Sequence, residues 1–233
     1  MLKKLLRALL TGNGEPLAIV MQLLSTAFVV FCTLPIHEYA HALVATKLGD
    51  QTARLSGRLT LSPLNHIDPI GAIMIFIVGF GYAKPVPVSM RNLKMKNKKL
   101  GMALVALAGP VSNVLMATFF ILLMCTNAYI YSKGLTEYLL ASIIQYFFQY
   151  AALINISLAV FNFIPIPPLD GSRILFSVIP DRYYFTVMKY ERQIMLVIFV
   201  LLMLGVFSGP ISSLSYGLYD LLVKLISAPF KLF

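Results

Sequence analysis

Residues 26–49 read TAFVVFCTLPIHEYAHALVATKLG, and this stretch decides the fold class. An uncharged, apolar run leads into His37, Glu38 and His41, and apolar residues resume at Ala42. Ionisable groups set in such a run are costly in a bilayer and mark function. On a helix, positions i and i+4 share one face, so His37 and His41 can hold one metal ion together. Glu38 lies next to His37 and within reach of a water polarised by that ion, which is the logic of an H-E-x-x-H motif.

The composition agrees with a membrane setting. The chain of 233 residues is 59% hydrophobic and 12% charged, with a mean hydropathy of +0.83. Soluble domains carry about 25% charged residues, so lipid is the natural solvent here. The net charge is +10, with Lys84, Arg91, Lys94, Lys96, Lys98 and Lys99 gathered in one loop without an acid. Anionic headgroups and the positive-inside rule account for such a loop, so membrane lipids are expected partners and nucleic acid is not. Cys32 and Cys125 sit in apolar runs and read as packing residues.

Segment by segment, residues 1–14 read as a basic amphipathic surface stretch and a retained anchor rather than a cleaved signal. Residues 16–48 read as a long helix interrupted only by Pro35. A polar stretch covers 49–66. The run from Pro69 to Val88 contains Gly79, Gly81, Pro85 and Pro87, which predicts a re-entrant loop or hairpin shielded by protein. Residues 100–126 and 138–163 predict spanning helices, followed by a break at Pro165, Pro167, Pro168 and Gly171. Residues 193–208 predict another span, Gly209-Pro210 a turn, and 216–230 a last, interfacial helix. The expected fold is an all-α polytopic membrane bundle of about five or six membrane helices with a small re-entrant β-like hairpin. A single domain is expected over 1–233, with a core at 16–180 and accessory C-terminal helices at 190–233.

The basic 84–99 loop predicts a cytoplasmic location for that loop, and the alternation of spans then brings Asp170, His37 and His41 to the cytoplasmic side. Lys3, Lys4 and Arg7 on the outside oppose this assignment, and the larger charge of the 84–99 loop outweighs them.

Catalytic zinc takes three protein ligands and keeps one position open. Glu15 and Glu137 fall at outer helix ends, Asp220 on a terminal helix, and Asp50, Asp181 and Glu191 among basic residues where solvated pairs are the ordinary reading. Asp170, His66 and Asp68 remain. Asp170 is favoured, because a proline-rich break beside Gly171 lets a carboxylate turn into the bundle; a helix N-cap is its alternative role.

HEYAH at 37–41 and FNFIPIPPLDG at 161–171 together resemble the two signature motifs of the site-2 protease family of intramembrane metalloproteases. The resemblance runs over roughly residues 20–180 and is to a small, core-only branch, with no PDZ domain between the motifs and no nucleotide-sensing domain after the last helix. It implies His37, His41 and Asp170 as ligands of one zinc ion, Glu38 as the catalytic base, and Asn162 as a group binding the substrate backbone or oxyanion. Gly79, Phe80 and Gly81 resemble the family's G-x-G element, whose backbone can pair with an unwound substrate strand. AGPVSN at 108–113 resembles a further family element in which Gly109 and Ser112 allow close helix packing and Asn113 lines the site. His66 and Asp68, in SPLNHIDPIG at 62–71, are expected as a second layer beside the metal ligands, as a gate, or as a polar pair that stabilises the hairpin.

These readings converge on a zinc metalloendopeptidase that cuts transmembrane protein or peptide substrates. Two rivals come from other classes. A non-catalytic helix-binding protein needs no general base such as Glu38. A metal transporter usually shows paired sites in repeated halves, whereas this ligand set suffices for one site.

Overall fold

The computed structural model describes residues 16–78, 83–180, 183, 186–187 and 189–230. The first span runs from Pro16 to Lys47. It consists of α1 (Pro16–Phe28), a π turn (Val29–Thr33) and α2 (Leu34–Lys47). The π turn explains how the helix tolerates Pro35. The Leu34 amide bonds back to Val29 O, one residue further than in an α-helix, and the Thr33 hydroxyl donates to the same carbonyl at 3.1 Å. The extra residue absorbs what the proline ring and its missing N–H would otherwise break.

Short helices α3 (Thr52–Leu55) and α4 (Pro63–His66) follow, then α5 (Pro69–Val78). Two long helices complete the core, α6 (Lys98–Ser132) and α7 (Tyr138–Asn162). The seven-residue α8 (Asp170–Phe176) comes next, then α9 (Glu191–Met203) and α10 (Ser208–Ser227). The all-helical expectation holds, but the described residues do not supply five or six spans. Among the described residues three helices are long and apolar enough to cross a membrane, or four if the α9–α10 pair, bent by 80°, counts as one. That bend falls at Leu204–Phe207, where Gly205 has φ +74°. Pro210 does not make a turn: it lies in the first turn of α10, where a missing N–H costs nothing.

The β-like hairpin is also revised. Among the described residues no strand forms. Pro69–Val78 is helical because Asp68 caps it, its carboxylate accepting from the Ile70 and Gly71 amides at 3.0 and 3.1 Å. Proline at the first position suits such a start. The chain does return on itself, through one isolated antiparallel bridge between Ile67 and Ala83 and a 2.8 Å bond from the Lys84 amide to His66 O. Gly79, Phe80 and Gly81 lie outside the described residues.

The core forms where α1 and the π turn meet α6 and α7. Val29, Ala117, Phe120, Ile121, Met124, Cys125, Ala151, Ala152 and Ile156 are buried together. Fully buried Ala117, Ala151 and Ala152 let the helices approach closely. Polar bonds cross the same interfaces: Ser25 Oγ donates to Phe147 O at 2.8 Å, and Asn127 Nδ2 to Ala141 O at 2.9 Å. On the outer side of α6, Leu104, Val111, Leu115 and Leu122 recur at helical spacing and are exposed. An exposed apolar stripe of this length faces lipid rather than water, and the chain is a multi-pass membrane protein.

Candidate metal centre

α2 presents His37 and His41 one turn apart on the face that packs against α6. Both are buried, as is Glu38. The His41 ring is fixed from behind: its Nδ1 lies 2.7 Å from Val105 O. A carbonyl oxygen only accepts, so Nδ1 carries a hydrogen, and Nε2 is the nitrogen turned toward His37 and Asp170. The two Nε2 atoms are 3.1 Å apart.

Asp170 is the first residue of α8. Its Oδ2 lies 3.4 Å from His37 Nε2 and 3.3 Å from His41 Nε2. Two features bring it there. α7 ends at Asn162, and the chain turns through the proline-rich segment so that α8 lies against α6. Gly171 then sits so close to the end of α7 that an added Cβ would lie 2.3 Å from Phe163 O. His37, His41 and Asp170 are the group among the described residues whose ligand atoms, within 4.8 Å of one another, could hold a metal ion. Two imidazoles and a carboxylate are a usual catalytic zinc set, and three electron-pair donors facing one another call for a cation. The residues fit the metal that the motif implies.

Gly109 is the residue whose importance the sequence did not disclose. A Cβ on it would lie 2.3 Å from His41 Nε2 and 2.6 Å from His37 Cε1. It is therefore a wall of the candidate metal site as well as a packing glycine. One turn further along α6, Asn113 is buried and neither amide atom has a hydrogen-bond partner. Such an orphan is expensive in a protein interior and suits a group that meets water or substrate. Asn162 is partly buried at the end of α7 and its Nδ2 donates to Leu158 O of its own helix at 3.0 Å.

The structure separates His66 and Asp68 from this cluster in their bonding. His66 is fully buried and its Nε2 donates to Thr60 O at 2.7 Å, while Asp68 caps α5. Asp50, read from the sequence as a solvated surface acid, is instead fully buried. Burial pushes its carboxyl up, but hydrogen bonds from Thr52, Ser89 and Asn92 outweigh that and hold it below the usual range. Glu38 has a partner that sequence reasoning missed: the Val86 amide donates to its Oε2 at 3.2 Å.

Residues 25–206 match the model of peptidase family M50. The chain belongs to this family. This is the site-2 protease family to which the two motifs pointed. Among similar proteins is "Putative zinc metalloprotease YwhC" of Bacillus subtilis, 37% identical over 93% of this chain and 95% of that protein. "Putative zinc metalloprotease Rip2" of Mycobacterium tuberculosis is 25% identical over 81% of this chain and 70% of its own length. "Putative zinc metalloprotease MJ0611" of Methanocaldococcus jannaschii is 30% identical, covering 60% of this chain and 62% of that protein. No solved structure matches.

The approach at residue 109 gives a sharp expectation. Gly109→Ala should lose most bound metal while keeping its helical content, because the added methyl displaces two ligand rings but disturbs no lipid-facing surface. Metal analysis alongside circular dichroism of the purified variant checks this; full metal occupancy would show that the helices separate freely.

Proposed function

We propose that this chain is an intramembrane zinc metalloprotease hydrolysing peptide bonds in or near transmembrane segments of membrane proteins. The observation that carries the reading is the convergence of His37, His41 and Asp170 beside Glu38 in an apolar helix bundle. Family membership and the names of the relatives support it. When bound, zinc supplies a Lewis acid that polarises the scissile carbonyl and acidifies water.

The protein's own groups do the rest. The His41 ring is oriented by Val105 O, which takes up Nδ1 and leaves Nε2 as the nitrogen that would bind the metal. Glu38, which does not belong to the ligand group, accepts the proton of the attacking water and returns it to the leaving amine. The amide of Asn113, which has no protein partner, offers hydrogen bonds to the substrate backbone or to developing negative charge. Asn162, whose Nδ2 is engaged by its own helix, contributes its oxygen or breaks that bond to contribute its amide. A substrate helix must unwind to expose its peptide bond.

Neither rival gains support. One metal group among the described residues falls short of a transport path, and Glu38 beside the metal group has no role in passive helix binding.

The decisive variant is Glu38→Gln. It is nearly isosteric, so zinc should stay bound while cleavage of co-expressed single-span proteins falls by about 10²–10⁴-fold. His37→Ala, His41→Ala and Asp170→Ala should each lose most zinc. Wild-type cleavage by a zinc-loaded Glu38→Gln protein would eliminate the proposed base.

We place the centre in the cell membrane on the cytoplasmic side, because Lys84, Arg91, Lys94, Lys96, Lys98 and Lys99 fall in one stretch of sequence that contains no acid. Cysteines introduced at Asn92 and Asn97, in a protein lacking Cys32 and Cys125, should resist an impermeant thiol reagent in intact cells. Labelling from outside would reverse the orientation.

A further inference from the structure

Asp50 is a buried carboxylate that the chemistry above does not use. It follows α2 directly, after Gly49 at φ +104°. Its Oδ2 accepts the Ser89 amide at 2.6 Å. Its Oδ1 accepts the Thr52 amide and hydroxyl and, at 3.2 Å, Asn92 Nδ2. Two of these donors lie on the segment that returns from α5 to α6. The same segment is tied beside Asp50 by the Lys94 amide, 2.9 Å from Leu48 O. Gly49 makes that approach possible: a Cβ there would lie 2.5 Å from Lys94 Cγ.

The other end of the segment is pinned as well. Ala83 bridges Ile67, and the Lys84 amide reaches His66 O, whose ring is itself bonded to Thr60 O. Between these anchors lies Lys84-Pro85-Val86-Pro87-Val88. Proline has no N–H and a fixed φ, so Val86 carries the one amide donor between Lys84 and Val88. That donor goes to Glu38 Oε2.

We propose that Asp50 is a positioning residue for Glu38, acting through the anchored segment 83–94. This rests on Glu38 being the base. A glutamate side chain has three rotors, and a carboxylate that must take a proton from one water and deliver it to one nitrogen gains by being held. The Val86 amide occupies Oε2, fixing the side chain and leaving Oε1 for the proton. Asp50 sets where Val86 stands, because it holds Ser89, three residues on, against the end of the helix that carries Glu38. Both Asp50 oxygens act only as acceptors. An asparagine would therefore turn an NH2 toward the Ser89 amide on one side or the Thr52 and Asn92 donors on the other.

The test uses Asp50→Asn in the full chain, with Asn92→Ala as an exposed, milder variant. Hydrogen–deuterium exchange should accelerate in the peptide covering 83–94, strongly in Asp50→Asn and weakly in Asn92→Ala, with α2 and α6 protection and bound zinc unchanged. With a cleaved substrate, kcat should fall by up to about 10²-fold while KM stays put. A general loss of structure would instead lower zinc content and protection everywhere. Unchanged exchange at 83–94 in Asp50→Asn overturns the anchoring, and faster exchange with unchanged kcat overturns the positioning. A wild-type protein that cuts no membrane substrate fails the protease reading itself, and the exchange result still decides whether Asp50 anchors the segment.

Discussion

The site depends on how closely α6 passes α2. At Gly109 the backbone of α6 lies against both histidine rings, so near that a single methyl group would overlap His41 Nε2. One turn earlier on the same helix, Val105 O takes the His41 Nδ1 hydrogen. Helix contact and ring orientation are thus set by one crossing. Asp170 joins because Gly171 allows a second close approach, to the end of α7. The interface is held further up the bundle by small buried residues such as Ala117 and Ala151 and by the core around Ile121 and Ile156. In lipid, where the hydrophobic effect adds little between helices, close packing and polar bonds carry association. The geometry of the site and the packing of the bundle are therefore one problem.

The candidate site was legible in the sequence where chemistry is local. His37 and His41 share a face because helical periodicity puts them there, and Asp170 was favoured because it follows a proline-rich break beside Gly171. The long helices were legible from length and hydropathy. The features that failed were those where two local signals competed. Glycines and prolines between Pro69 and Val88 suggested a hairpin, yet Asp68-Pro69 is also a helix start, and the cap prevailed over the first ten residues. Pro35 read as an interruption because a π turn has no sequence mark. Gly209-Pro210 read as a turn, although proline in a first helical turn is favourable; the chain bends instead at Gly205.

Other features were invisible because they are properties of distance. Gly109 reads as an ordinary packing glycine until a neighbouring helix brings two imidazoles against it. Asp50 stands among basic residues and reads as a solvated acid, yet beside Thr52 its partners include the Ser89 amide and the Asn92 side chain, some forty residues on. The Val86 amide carries no sequence signature at all beyond the two prolines beside it. In each case the partner comes from another element, and no periodicity within one segment reports it.

The account stands or falls on the claim that His37, His41 and Asp170 bind one zinc ion together. X-ray absorption at the zinc edge of the purified, zinc-loaded protein measures that environment directly. Two imidazole nitrogens and carboxylate or water oxygens at about 2.0–2.2 Å are predicted. A thiolate sulfur at about 2.3 Å, or a shell without imidazole scattering, would contradict it.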